Sequence, residues 1–129
     1  MRDLANNIGV FSALAPAVQT ANATGTVIDR KGFEKVTYIV NTGAIAADGD
    51  FTFKVQDSDT ITPADFADVD PKWIIGEAPD TLEATSAYKL GYWGHKRYTR
   101  LVLTKAGGTS IAAGAVAVLA GAHARPVGA

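Results

Sequence analysis

Gly32-Phe33-Glu34-Lys35-Val36-Thr37-Tyr38-Ile39-Val40 and, one turn later, Phe51-Thr52-Phe53-Lys54-Val55-Gln56 decide the fold class. The first stretch is rich in β-branched and aromatic residues and follows the turn dipeptide Lys31-Gly32. Its second half is apolar on both faces, the pattern of a central strand. The second stretch alternates cleanly, sending Phe51, Phe53 and Val55 to a core and Thr52, Lys54 and Gln56 to water. Ala47-Asp48-Gly49-Asp50 between them reads as a turn. The two strands are therefore expected to form an antiparallel pair joined by a loop.

Strand signals continue on both sides of this pair. Thr26-Val27-Ile28-Asp29 precedes it, and residues 87–92, 98–104 and 113–119 follow, the last two separated by the turn signal Gly107-Gly108. Ile111-Ala112-Ala113-Gly114-Ala115-Val116-Ala117-Val118-Leu119-Ala120 carries almost no polar side chain. Its alanines favour helix, but Gly114, Gly121 and the valines favour a strand, expected to be covered on both faces by the core or by another subunit. Residues 57–84 form a long irregular region punctuated by Pro63, Pro71, Gly76 and Pro79. Within it Thr62 is expected to cap a helical turn opened by Pro63, and Trp73-Ile74-Ile75 is a short apolar insert. Six or seven short strands with little helix predict an all-β, single-domain antiparallel β-sandwich or small jelly-roll-like barrel over residues 26–129. Residues 1–25, with Pro16 and an Asn-rich start, read as an extended N-terminal arm.

A chain of 129 residues and 13.4 kDa suits one domain with one core, and 47% hydrophobic against 19% charged residues is a globular balance. Lys plus Arg number 12 against 13 for Asp plus Glu, which argues against nucleic acid as a partner and against a polybasic membrane contact. Asn6 and Asn7 interrupt the first apolar run and Arg2 is followed at once by Asp3, so neither a secretory signal nor a membrane span is expected. The chain is expected to be made in the cytoplasm, its two ends tied down by neighbouring subunits. With no cysteine, thiol nucleophiles, thiolate metal sites and disulfide scaffolds are excluded.

No reaction centre emerges from the remaining residues. Asp48, Asp50, Asp57, Asp59, Asp65, Asp68 and Asp70 cluster in loops, but Asp57-Ser58-Asp59 lacks the downstream Gly and Glu of a calcium loop, and solvated turns explain them better. Ser12, Ser58, Ser86 and Ser110 lie in no nucleophile elbow, and only His95 and His123 offer neutral-pH bases. No spacing points to a pair of carboxylates for glycoside hydrolysis, and Gly107-Gly108 opens no phosphate loop. The expectation is a non-enzyme with no cofactor and no metal.

The densest constellation is Gly91-Tyr92-Trp93-Gly94-His95-Lys96-Arg97-Tyr98-Thr99-Arg100. Tyr, Trp and Arg are the residue types enriched at interface hot spots, so Tyr92, Trp93, His95, Lys96, Arg97 and Arg100 are the candidate partner-binding residues. Set against that, the same residues fit a hairpin in which Tyr98, Leu101 and Leu103 fill the core and the charges are solvated. A hairpin serving as core and interface together is expected.

This run resembles the Gly-Tyr-x-Gly-x-Lys-Arg-Tyr-x-Arg segment of small tailed-phage proteins encoded near the major capsid protein. The segment from Gly32 to Gly43 is similar to their first long strand, and the strand that begins at Phe51 and ends in Asp57-Ser58-Asp59 fits them too. So does the close at Leu119-Ala120-Gly121-Ala122-His123-Ala124-Arg125-Pro126. The resemblance implies a virion structural protein, a head-decoration or cement protein on the outside of the icosahedral shell. Its partners would be the major capsid protein and further copies of itself, most simply as a trimer that bridges capsomers. Two alternatives stand beside it: a low-copy neck or tail adaptor, and a carbohydrate-binding β-sandwich with Tyr92 and Trp93 as exposed stacking platforms.

Overall fold

A computed structural model describes residues 3–122. The expectations for His123, for the ends Met1-Arg2 and 126–129, and for the tail segment around them lie outside the described residues.

The described residues form ten strands, the long ones built on alternating apolar residues: β1 (Gly9–Gln19), β2 (Ala23–Thr24), β3 (Ile28–Asp29), β4 (Phe33–Ala46), β5 (Asp50–Ser58), β6 (Ala67–Asp68), β7 (Ile74–Ile75), β8 (Ala87–Tyr92), β9 (Tyr98–Gly107) and β10 (Ser110–Ala122). Three single 3-10 turns are the only helical pieces among the described residues. All strand pairs are antiparallel. One sheet runs β1-β10-β4-β8-β7 and the other β2-β9-β5-β6, with β3 beside β2 along β9. With β2 and β3 taken as one interrupted strand and β7 as an added edge, this is the strand order of a double-sheet jelly roll. The predicted β-sandwich is what the chain forms.

The core lies between the sheets. Val36, Tyr38 and Val40 enter it from β4 and Phe51, Phe53 and Val55 from β5, all nearly or fully inaccessible. Ala113, Ala115 and Ala117 of β10 occupy little of the same core, which leaves volume for the two phenylalanines and Tyr38. A buried Leu82, carried by the irregular stretch before β8, plugs the sandwich, its N–H donating to the Phe51 carbonyl at 2.8 Å. The Thr52 hydroxyl donates to the Pro79 carbonyl at 2.6 Å and fixes the same stretch.

Four expectations are corrected. β4 and β5 are joined by a tight turn, with Ala47 and Asp48 at positive φ, yet they enter opposite sheets instead of pairing. Periodicity cannot separate the two cases, because strands that face one another across a core alternate just as sheet neighbours do. For the same reason β8 and β9, expected as one hairpin, lie in different sheets. The N-terminal arm is instead β1, an edge strand paired with β10, and it sends Ala13 and Leu14 into the core. Pro16 is tolerated there because the pairing slips between Leu14 and Ala17, so no ladder N–H is needed from it. Finally, Pro63 does open a 3-10 turn, but the Thr62 side chain makes no capping bond.

Candidate functional site

Residues 93–97 carry the chain from the end of β8 in one sheet to the start of β9 in the other, closing one end of the sandwich. What holds this crossover lies underneath it. Tyr92 is buried, and its hydroxyl donates to Asp57 Oδ2 at 2.8 Å, a bond that spans the two sheets. The Lys96 N–H donates to the same hydroxyl at 3.2 Å. Burial, and then the neighbouring Asp57 acceptor, push the Tyr92 phenol well above its ordinary pKa, so it stays protonated and can donate. Gly94 crosses directly over this ring: a Cβ there would lie 2.4 Å from the Tyr92 oxygen.

Arg30, in the turn between β3 and β4, clasps the crossover from the side. Its Nε donates to the Lys96 carbonyl at 2.9 Å and its Nη2 to the Gly94 carbonyl at 3.1 Å, and its guanidinium lies 5.1 Å from the Tyr92 ring centroid. The planar fork of arginine suits two carbonyls on one turn. Sequence reasoning missed Arg30, since a cation beside Lys31-Gly32 gives no local sign of reaching a loop more than sixty positions away.

The outer surface of the crossover is aromatic. Trp93 is 56% exposed, and its N–H donates to the Trp73 carbonyl at 2.9 Å. The Trp73 ring meets the Trp93 ring edge to face at 5.0 Å and the His95 ring at 5.8 Å, while Lys72 Nζ lies 5.3 Å from the Trp73 centroid. Trp73 arrives from a 3-10 turn (Pro71–Trp73) whose preceding Asp70 accepts from the Lys72 N–H at 3.1 Å. The apolar insert seen in the sequence thus supplies the second half of a paired indole platform.

The candidate cations already have partners. Arg97 holds Asp29 with two bonds of 2.8 Å, which keeps that carboxyl below the usual carboxylate range, and stacks 5.0 Å from the Tyr98 ring centroid. Lys96 Nζ is 3.6 Å from Asp59. Arg100 sits apart, on β9 in the second sheet: Nε donates to Gln56 Oε1 at 2.9 Å and the guanidinium covers Phe66 at 4.4 Å. Of the six candidate residues, Trp93 and His95 are brought together by the Trp73 ring, while Lys96 and Arg97 of the same crossover turn to Asp59 and Asp29. Tyr92 is corrected from a contact residue to a positioning residue, because the strand alternation that exposes Trp93 turns its neighbour inward.

The loop carboxylates serve separate local purposes. Asp57 accepts from Tyr92, Asp65 from the Thr60 hydroxyl at 2.6 Å, Asp50 from the Thr81 hydroxyl at 2.8 Å, and Asp68 from Gln56 at 2.9 Å and Lys54 at 3.1 Å. Among the described residues no group of three carboxylates or histidines converges as metal ligands. The crossover thus sets Trp93, exposed, against the half-buried Trp73, and is held from beneath by Tyr92 and from the side by Arg30.

No family model and no curated protein matches the chain. Among solved structures it is similar to the SPBc2 prophage-derived protein YomS, with a TM-score of 0.48 and 9% identity over 88% of this chain and 92% of that one. It is also similar to a chain in the structure of the Gx strain of infectious bursal disease virus, with a TM-score of 0.47 and 13% identity over 92% of this chain. The match spans 34%, about a third, of that viral chain.

Proposed function

We propose that the chain is a structural protein of a virus particle, a decoration or cement protein that binds the outside of the icosahedral shell and bridges capsomers, as a trimer or similar assembly of its own copies. It acts by binding and performs no reaction. The observation that carries this reading is the crossover at residues 93–97. Trp93 stands exposed against the half-buried Trp73, in a crossover braced by the buried Tyr92–Asp57 bond and the Arg30 clasp, and the crossover itself lies within the run that resembles the phage segment. Such a surface loses little conformational freedom on docking, which is how a small contact becomes a firm one. Trp anchors with basic neighbours are the typical hot-spot composition. A protein that binds only the expanded shell stabilises it by mass action, summed over many sites.

The test is the number of copies per purified particle, measured by quantitative mass spectrometry against the major capsid protein. Hundreds of copies support the shell reading; six or twelve move the protein to a neck or tail ring on symmetry grounds. Finding none removes both. The exposure of Trp93 also favours a second reading, a carbohydrate-binding sandwich in which the indole stacks on a sugar ring. Trp93→Ala separates the two: under the first reading it lowers particle occupancy, and under the second it abolishes glycan binding and leaves occupancy intact.

A further inference from the structure

Over β1 and β10 the outer face of the first sheet is apolar, carries no charged side chain and is left uncovered by the fold. Over β4, β8 and β7, next to the crossover, its character changes. The register sets three outward rows there. Lys35 stands one step past the Val36–Tyr92 pair and so level with Trp93, Thr37 lies beside Gly91 and Ile75, and Ile39 lies beside Lys89. Gly91 lets Ile75 lie across this face, since a Cβ at Gly91 would come 3.2 Å from that of Ile75. Ile75, on the edge strand β7, is 62% exposed and Trp93 56%. The two are diagonal neighbours across β7 and β8, close enough for large side chains to form one apolar centre.

Three exposed lysines border this centre. Lys35 and Lys89 stand one row to either side of Gly91, about 14 Å apart by strand geometry, and Lys72 Nζ lies 5.3 Å from the Trp73 centroid. Among the described residues none of the three makes an ion pair. The nearby acids are engaged elsewhere or out of the rows. Asp29 holds Arg97, Asp59 holds Lys96, Asp70 accepts from the Lys72 N–H, and Glu77 lies past the end of β7. An ammonium group donates hydrogen bonds and accepts none, so the border offers donors alone. A sugar, whose hydroxyls both donate and accept, meets no carboxylate or amide in these rows. Carboxylates bring acceptors and negative charge together, which is the complement of this border. An apolar centre inside a charged rim is also the anatomy of a protein contact.

We propose that this surface, centred on Trp93 and Ile75, docks an acidic segment of a partner protein, its carboxylates against Lys35, Lys72 and Lys89 and an apolar side chain against the centre. The inference rests on the proposed function for the identity of that partner, the shell protein, and adds the chemistry by which it is recognised.

Both tryptophans of the chain lie at this surface, so intrinsic fluorescence reads it directly. The full-length chain is titrated with a short peptide of two leucines flanked by glutamates, with its glutamine-for-glutamate counterpart, and with an oligothymidylate. The acidic peptide should bind saturably, at least about tenfold more tightly than the glutamine peptide, and should weaken as salt is raised. Lys35→Glu combined with Lys89→Glu should weaken it at least about tenfold with an unchanged circular dichroism spectrum. Ile75→Ser should also lose affinity, and Lys54→Gln, outside the other sheet, should bind as the parent does. Equal binding of the two peptides, parent-like binding by the double reversal, or no saturable binding by the parent would each overturn the proposal. Tighter binding of the oligothymidylate would overturn it too, by making the ligand a phosphodiester chain. Particle occupancy separates this inference from the reading it rests on. Charge-selective peptide binding by a chain absent from particles would remove the shell and keep the acidic segment. Occupancy lost in Trp93→Ala but kept in the double reversal would keep the shell and refute the acidic segment.

Discussion

Replacing Tyr92 by Phe removes one oxygen from the centre of the crossover and leaves the ring in place. That oxygen donates to Asp57 at 2.8 Å and accepts from the Lys96 N–H at 3.2 Å, so two groups lose a partner at once. Asp57 is 8% exposed and Tyr92 2%, and water cannot readily replace the lost donor. A hydrogen bond to a charged group contributes about 1.5–3 kcal/mol, and an orphaned buried acceptor keeps most of that cost. The expected loss is about 2 kcal/mol, or a fall in Tm of about 8 °C for a chain of this length. Thermal unfolding followed by circular dichroism reads it. Amide exchange should show the Lys96 N–H opening faster, since the crossover loses its floor. Asp57→Ala and the double variant complete a cycle, and the two changes should couple by at least about 1 kcal/mol because each removes the same bond. A Tm within about 1 °C of the parent, or simple additivity in the cycle, would refute the claim that this bond ties the two sheets beneath the site.

Gly94→Ala should disturb the same crossover from above, because its Cβ would meet the Tyr92 ring and hydroxyl at 2.4–2.8 Å. Intrinsic tryptophan fluorescence should shift as the indole pair parts, with a stability loss of about 1–3 kcal/mol in urea melts. High pH should destabilise the protein through Tyr38 and Tyr92, both raised by burial, and Tyr38 can be taken singly. Burial raises that phenol's pKa, so the folded state holds the proton more tightly; the stabilisation is complete below the unfolded phenol's pKa of about 10 and is lost as pH rises toward the folded value. Tyr38→Phe should lower stability at neutral pH, by stranding the Thr99 hydroxyl bonded at 2.6 Å, yet flatten the decline above about pH 10 in a series of urea melts. An equally steep decline in Tyr38→Phe would count against it. Reversing Lys96 and Arg97 together should reduce occupancy on particles more than it affects folding, since both cations and their acids are substantially exposed and such pairs contribute little to stability. Full occupancy with the double reversal would place the shell contact elsewhere.

The alternation of Phe51, Phe53 and Val55, the β-branched run through Val40 and the glycine turns are enough to determine an all-β sandwich and to locate most strands. Backbone pleating forces that period wherever one face is buried, whatever lies opposite. Residues 91–100 are likewise legible as the densest run of aromatic and cationic side chains, the composition from which the binding proposal starts. Partnership is not legible. Which strands share a sheet, that residues 9–19 form an edge strand and not an arm, that Arg30 reaches Gly94 and Lys96, and that Tyr92 turns inward to Asp57 all depend on contacts between distant positions. Local pattern says only that a side chain is buried or exposed. The tertiary structure decides what it is buried against, and for the 111–120 strand it decides which of two apolar faces meets the core and which turns outward.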